Sequence, residues 1–137
     1  MQGVRDKSSE GGGIIRIDTH VAVWLFTGEI ERFTPDGIAL LDSERLVVSP
    51  MVQLELTYLH EIGRLTVGGA DIIGDLQSRI GLGLSDQSFL SVTQTAAQLT
   101  WTRDPFDRLI VADALAASCR LLTKDPEIRE HVSIAIW

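Results

Sequence analysis

Short, mostly apolar runs that alternate with helix-length segments constrain this chain most. Ile14-Ile15-Arg16-Ile17, Leu46-Val47-Val48, Arg120-Leu121-Leu122-Thr123 and the closing Val132 to Trp137 are too short for core helices. They also lack the polar alternation of a strand with one wet face. Between them lie segments with helix start and stop signals. Helices are predicted over Thr19 to Thr27, from Pro35 on, from Pro50 to about Ile62, and over Gly69 to Ile80. Further helices are predicted over Ser88 to Leu99, Phe106 to Ser118 and Pro126 to Glu130, with a short apolar turn or strand at Gly81 to Leu84. Strands alternating with helices imply a parallel sheet covered on both faces, a three-layer α/β/α domain.

A chain of 137 residues, 45% of them apolar, can bury one ordinary core and is no disordered chain. The polar, glycine-rich residues 1–13 are expected to be a flexible leader, and residues 14–137 the domain. No apolar run approaches the roughly 20 residues that span a bilayer. Cys119 stands alone, so no internal disulfide forms, and a reducing, cytoplasmic setting is expected. His20, His60 and His131 are scattered and give no zinc spacing. The net charge of −7 argues against a general nucleic-acid binder unless bound cations reverse the sign at one site.

Four acids sit in apolar sequence: Asp18, Glu55, Asp107 and Asp125. Asp18 directly follows a strand and Asp125 lies just beyond another. In an open parallel sheet, ligands bind outside the carboxyl ends of the strands. Asp107 begins a helix. Glu55 falls mid-helix on a stripe with Met51, Tyr58, Leu59 and Ile62, where an unpaired charge would be costly. Each acid has a plainer role open to it: Asp18, Asp107 and Asp125 as helix caps, Glu55 as partner of a buried arginine. Together they suggest a carboxylate site for a hard divalent cation. Asp113 lies about 240° round the helix from Asp107 and suits an arginine partner better than the site. Asp104 reads as a loop or capping residue. Trp24, Trp101 and Trp137 read as packing residues, and His20 as a helix-surface residue that could touch the site.

From roughly Ile14 to Trp137 the chain resembles PIN domains, and among them VapC-type toxins of bacterial toxin–antitoxin pairs. The residues that carry the resemblance are Ile17-Asp18-Thr19-His20 with Trp24-Leu25, and Ser49-Pro50 leading to Leu54-Glu55-Leu56. To these it adds Arg103-Asp104-Pro105-Phe106-Asp107-Arg108-Leu109-Ile110 and Leu122-Thr123-Lys124-Asp125. The resemblance implies an endoribonuclease whose Asp18, Glu55, Asp107 and Asp125 hold Mg²⁺ or Mn²⁺, with Thr123 a supporting hydroxyl. It also implies an RNA substrate, a homodimer and a cognate antitoxin protein. Thr123, Arg108 and Lys124 are the candidate substrate contacts. Asp113 departs from the family pattern, which often carries an uncharged polar residue there.

Other readings fit less well. An aspartyl-phosphate phosphotransferase needs a second Asp two residues after the first, where this chain has His20. A receiver domain needs an acidic pair near the end of the first strand, where Arg16-Ile17 stands. A non-enzymatic PIN-fold module whose acids hold a partner's arginine remains the alternative.

Overall fold

The structure is a computed structural model that describes residues 4 and 13–137. Most of the expected leader lies outside the described residues, although Val4 packs partly buried against the core. Five strands, β1 (Ile14–Ile17), β2 (Arg45–Val48), β3 (Gly83–Leu84), β4 (Arg120–Leu122) and β5 (Ala135–Ile136), form one sheet. Its order is β3-β2-β1-β4-β5, and every pairing is parallel. β1 is central: Ile15 aligns with Leu46 on one side, and Arg16 with Leu121 on the other. Ile15, Arg16 and Ile17 are all buried, so both faces of the sheet are covered, as the apolar runs require.

Seven α-helices connect the strands: α1 (Thr19–Thr27), α2 (Pro35–Ser43), α3 (Pro50–Glu61), α4 (Gly69–Ile80), α5 (Phe89–Ala96), α6 (Pro105–Ala116) and α7 (Pro126–His131). A 3-10 turn at Ile30–Arg32, absent from the sequence reading, leads into Phe33. Most helices start on a local device. Asp18, Thr34, Ser49, Ser88, Asp104 and Asp125 each cap a first turn with a side-chain oxygen. Proline follows four of these caps, at a position that needs no N–H. α1 and α4 end at Gly28 and Gly81, both left-handed (φ 75° and 71°), a conformation that glycine takes without a Cβ clash.

Two expectations change. α5 stops at Ala96 and the chain turns before Trp101. On α3 the face toward the core carries Val52 and Leu56, while Tyr58 and Ile62 are exposed. The stripe assigned to Glu55 is therefore largely a surface, and an acid there meets less apolar burial than its sequence neighbours imply. Among the described residues no helix is long and apolar enough to cross a membrane.

Candidate metal centre

The carboxyl ends of β1 and β4 lie side by side, and the Asp18 N–H donates to the Leu122 carbonyl at 3.3 Å. This brings Asp18 and Asp125 to one edge. α3 and α6 approach from the same end. Asp18, Thr19, His20, Glu55, Asp104, Asp107 and Asp125 all line one cavity of about 150 Å³, closed below by Ile110 and Ile128. The four acids singled out in the sequence share this space. Asp104 and His20 join them there. The local signal at Asp104 was already answered by its cap, so only the three-dimensional fold reveals its second place.

Three of the carboxylates cap the helix turn that follows them. Asp18 Oδ1 accepts from the Val21 N–H at 3.0 Å. Asp104 Oδ1 accepts from the N–H groups of Phe106 (2.8 Å) and Asp107 (3.3 Å). Asp125 Oδ1 accepts from Glu127 (2.9 Å) and Ile128 (3.3 Å). In these three caps Oδ1 does the anchoring, and no hydrogen bond from the described residues reaches Oδ2 of Asp104 or Asp125. Glu55 Oε1 accepts a short hydrogen bond of 2.5 Å from the Thr19 hydroxyl, which fixes α3 against the start of α1. The capping role and the cavity role of these acids thus coexist.

Burial and mutual repulsion load the site electrostatically. Burial pushes the Asp107 carboxyl up to about 7, helped by the charges of Asp104, Glu55, Asp125 and Asp18. Burial also raises Asp18, opposed by the Thr123 hydroxyl and the Val21 N–H. Glu55 is raised by burial too, opposed by Thr19. A cation would relieve all three. The donor set is all hard oxygen, the chemistry that Mg²⁺ and Mn²⁺ select. Among the described residues no three acidic, histidine or cysteine side chains stand ready to hold an ion as they are. The acids line a common wall, and ligation needs their side chains to turn inward.

The candidate substrate contacts separate. Thr123 is fully buried, and its hydroxyl accepts from the Asp125 N–H at 3.1 Å. It supports Asp18 and Asp125 and does not face solvent. Arg108 points away: its guanidinium donates to the Ala96 carbonyl at 3.0 and 3.3 Å, which ties α6 to α5. With its guanidinium on that backbone carbonyl, Arg108 does not line the cavity. Lys124 is exposed beside the site, with its ammonium 5.9 Å from the centre of the Trp24 ring. Asp113 is 2% exposed and takes the arginine partner expected of it. It accepts from Arg16 Nε at 3.2 Å and from the Ser85 hydroxyl at 2.6 Å.

Comparison with known proteins bears on family and fold. Residues 15–132 match the PIN domain family. Ribonuclease VapC22 of Mycobacterium tuberculosis is 28% identical over 124 residues, which cover 85% of this chain and 91% of that protein. Among solved structures, a chain of VapBC2 from Rickettsia felis bound to a promoter DNA fragment superposes with a TM-score of 0.64 at 16% identity. The match covers 90% of this chain and 96% of that one. A chain of DNA-bound VapBC from Salmonella typhimurium superposes with a TM-score of 0.63 at 19% identity, covering 92% and 98%.

Proposed function

Because this chain belongs to the PIN domain family, we propose that its acidic cavity is the active centre of a divalent-metal-dependent endoribonuclease, the toxin of a toxin–antitoxin pair. One observation carries the reading. Asp18, Glu55, Asp107 and Asp125 come from four separate elements into one small cavity, where an ordinary fold would keep like charges apart. The similarity to a protein named ribonuclease VapC22 supports RNA as the substrate. Likeness to chains of VapBC assemblies supports an antitoxin partner. Exposed Leu54, Phe89 and Leu90 support a homodimer, since apolar side chains this exposed suit an interface.

Asp18, Glu55, Asp107 and Asp125 would hold Mg²⁺ or Mn²⁺. A bound ion of this kind supplies charge neutralisation at a phosphate and a more acidic attacking water. The residues themselves do the positioning. Thr19 orients Glu55, and Thr123 with the Val21 N–H orients Asp18. The helix caps hold Asp104 and Asp125 at their Oδ1 atoms, and no hydrogen bond from the described residues occupies Oδ2. Asp107, whose carboxyl burial pushes up to about 7, would release its proton in order to hold such an ion.

The test pairs binding with chemistry. Calorimetric titration of Mn²⁺ into wild type should give site-dependent heat that Asp107→Asn loses. The same substitution should lower RNA cleavage by about a thousandfold or more, as expected when charge stabilisation at a phosphate is lost, while circular dichroism stays unchanged. Full cleavage by a folded Asp107→Asn protein would refute the assignment. Absence of metal-dependent heat in wild type would favour the non-enzymatic module that holds a partner's arginine.

A further inference from the structure

Next to the acidic cavity lies a second one of about 280 Å³, lined by Asp18, His20, Trp24, Lys124, Asp125 and Pro126. The two share Asp18, His20 and Asp125, so a ligand in one borders a ligand in the other. The second cavity differs in chemistry: its far wall is aromatic and cationic. Trp24 is braced from behind by the edges of Phe33 (ring centres 5.9 Å apart) and Trp137 (5.8 Å), which also touch one another at 5.3 Å. A ring fixed in this way loses little entropy on stacking a ligand. His20 lies 6.0 Å from it, tilted by 43°.

Two cations stand over the same indole, Arg32 at 5.2 Å and Lys124 at 5.9 Å. Arg32 is already engaged with Glu29 at 2.8 Å. Lys124 makes no ion pair among the described residues, although it flanks the most acidic part of the molecule. The other cations near the site are committed elsewhere, Arg108 to the Ala96 carbonyl and Arg103 to the Thr100 carbonyl. In a chain of net charge −7, Lys124 offers an anionic polymer a cationic foothold at this cavity.

We propose that this cleft is a nucleotide subsite that seats one unpaired RNA residue beside the cleaved phosphate, its base against Trp24 and His20 and its phosphate toward Lys124. The inference rests on the nuclease reading above and deepens it. A base within a duplex has both faces covered, so an aromatic wall selects a single-stranded or bulged nucleotide.

The experiment uses the full chain carrying Asp107→Asn, which should bind RNA without cutting it, and fluorescein-labelled single-stranded RNA against the same RNA annealed as a duplex. Binding is read by anisotropy, and Trp24 emission in a Trp101→Phe, Trp137→Phe background. Single-stranded RNA should quench Trp24, and duplex should quench it far less. Trp24→Ala should weaken single-strand binding about tenfold, and Trp24→Phe should restore most of it, which separates stacking from folding. Lys124→Ala should reduce the slope of log affinity against log salt by about 1. RNA bound at wild-type strength by both variants, with no quenching, would overturn the subsite and leave the nuclease reading standing. Failure of wild type to bind or cut RNA at all would overturn both.

Discussion

Asp113 and Asp107 stand on one helix and live in opposite electrostatic worlds. Asp107 faces carboxylates, and its charge is disfavoured. Asp113 faces Arg16 and Ser85, with Arg16 Nη2 also donating to the Ser85 hydroxyl at 3.1 Å, so that three residues satisfy one another. Arg16 sits in the middle of the central strand, covered on both sides, where an unpaired guanidinium could not stay. Removing one partner strands the other in the core. Asp113→Ala should therefore cost about 3–5 kcal/mol, and the double variant Arg16→Met, Asp113→Leu should recover most of that. Urea denaturation of both proteins checks this; equal losses in the single and double variants would count against a charge-burial cause.

At the scale of elements, the α3–α4 contact is set by the absence of a side chain. A Cβ at Gly69 would press on the Gln53 carbonyl, and it would come within 2.6 Å of the Thr57 hydroxyl and 2.9 Å of the Thr57 N–H. Two of the three obstacles are backbone and cannot rotate away. Gly69→Ala should force α4 off α3 and destabilise the protein by about 1–3 kcal/mol. Glu55 lies between Gln53 and Thr57, so Mn²⁺ affinity should fall along with the melting temperature. Unchanged affinity in a destabilised protein would mean that α3 holds Glu55 independently of α4.

The same helices show what the sequence could reveal. β1, α1 and α4 were legible to the residue because caps, prolines and left-handed glycines are local signals. Asp18 and Asp125 stood out because strand ends in a parallel sheet have a known use, and Glu55 and Asp107 because they sit in apolar sequence. The exposed side of α3 was not, since Leu54, Tyr58 and Ile62 look like core until the fold turns them outward. Asp104 and His20 were assigned to capping and to the helix surface. Both roles are present, and nothing local shows that the two side chains also meet across a cavity. The placement of Arg108 was hidden for the same reason: its neighbour Asp107 lines the cavity, while its guanidinium reaches back to Ala96.

At the scale of the whole molecule, gathered carboxylates make metal-free folding depend on pH. A carboxyl lifted to about 7 in the folded protein, against an ordinary 3.8, keeps its proton where the unfolded chain has lost it. Stability from this source is fully present below the unfolded value and is lost as pH rises through about 7. Burial moves Asp18 and Glu55 in the same direction. The melting temperature in EDTA should fall between about pH 5 and about pH 8. Mg²⁺ should remove most of that fall, and Asp107→Asn should flatten it. A melting temperature that is level across this range would show that the acids are well solvated when empty.

The central place of β1 has a consequence for how the protein is made. Asp18 directly follows the middle strand, but its neighbour β4 and the acid beyond it, Asp125, are translated more than a hundred residues later. A ribosome that has completed α5 has produced two of the four acids and no cavity. For the nuclease proposed above, this ordering keeps the cavity incomplete until β4 and Asp125 have left the exit tunnel.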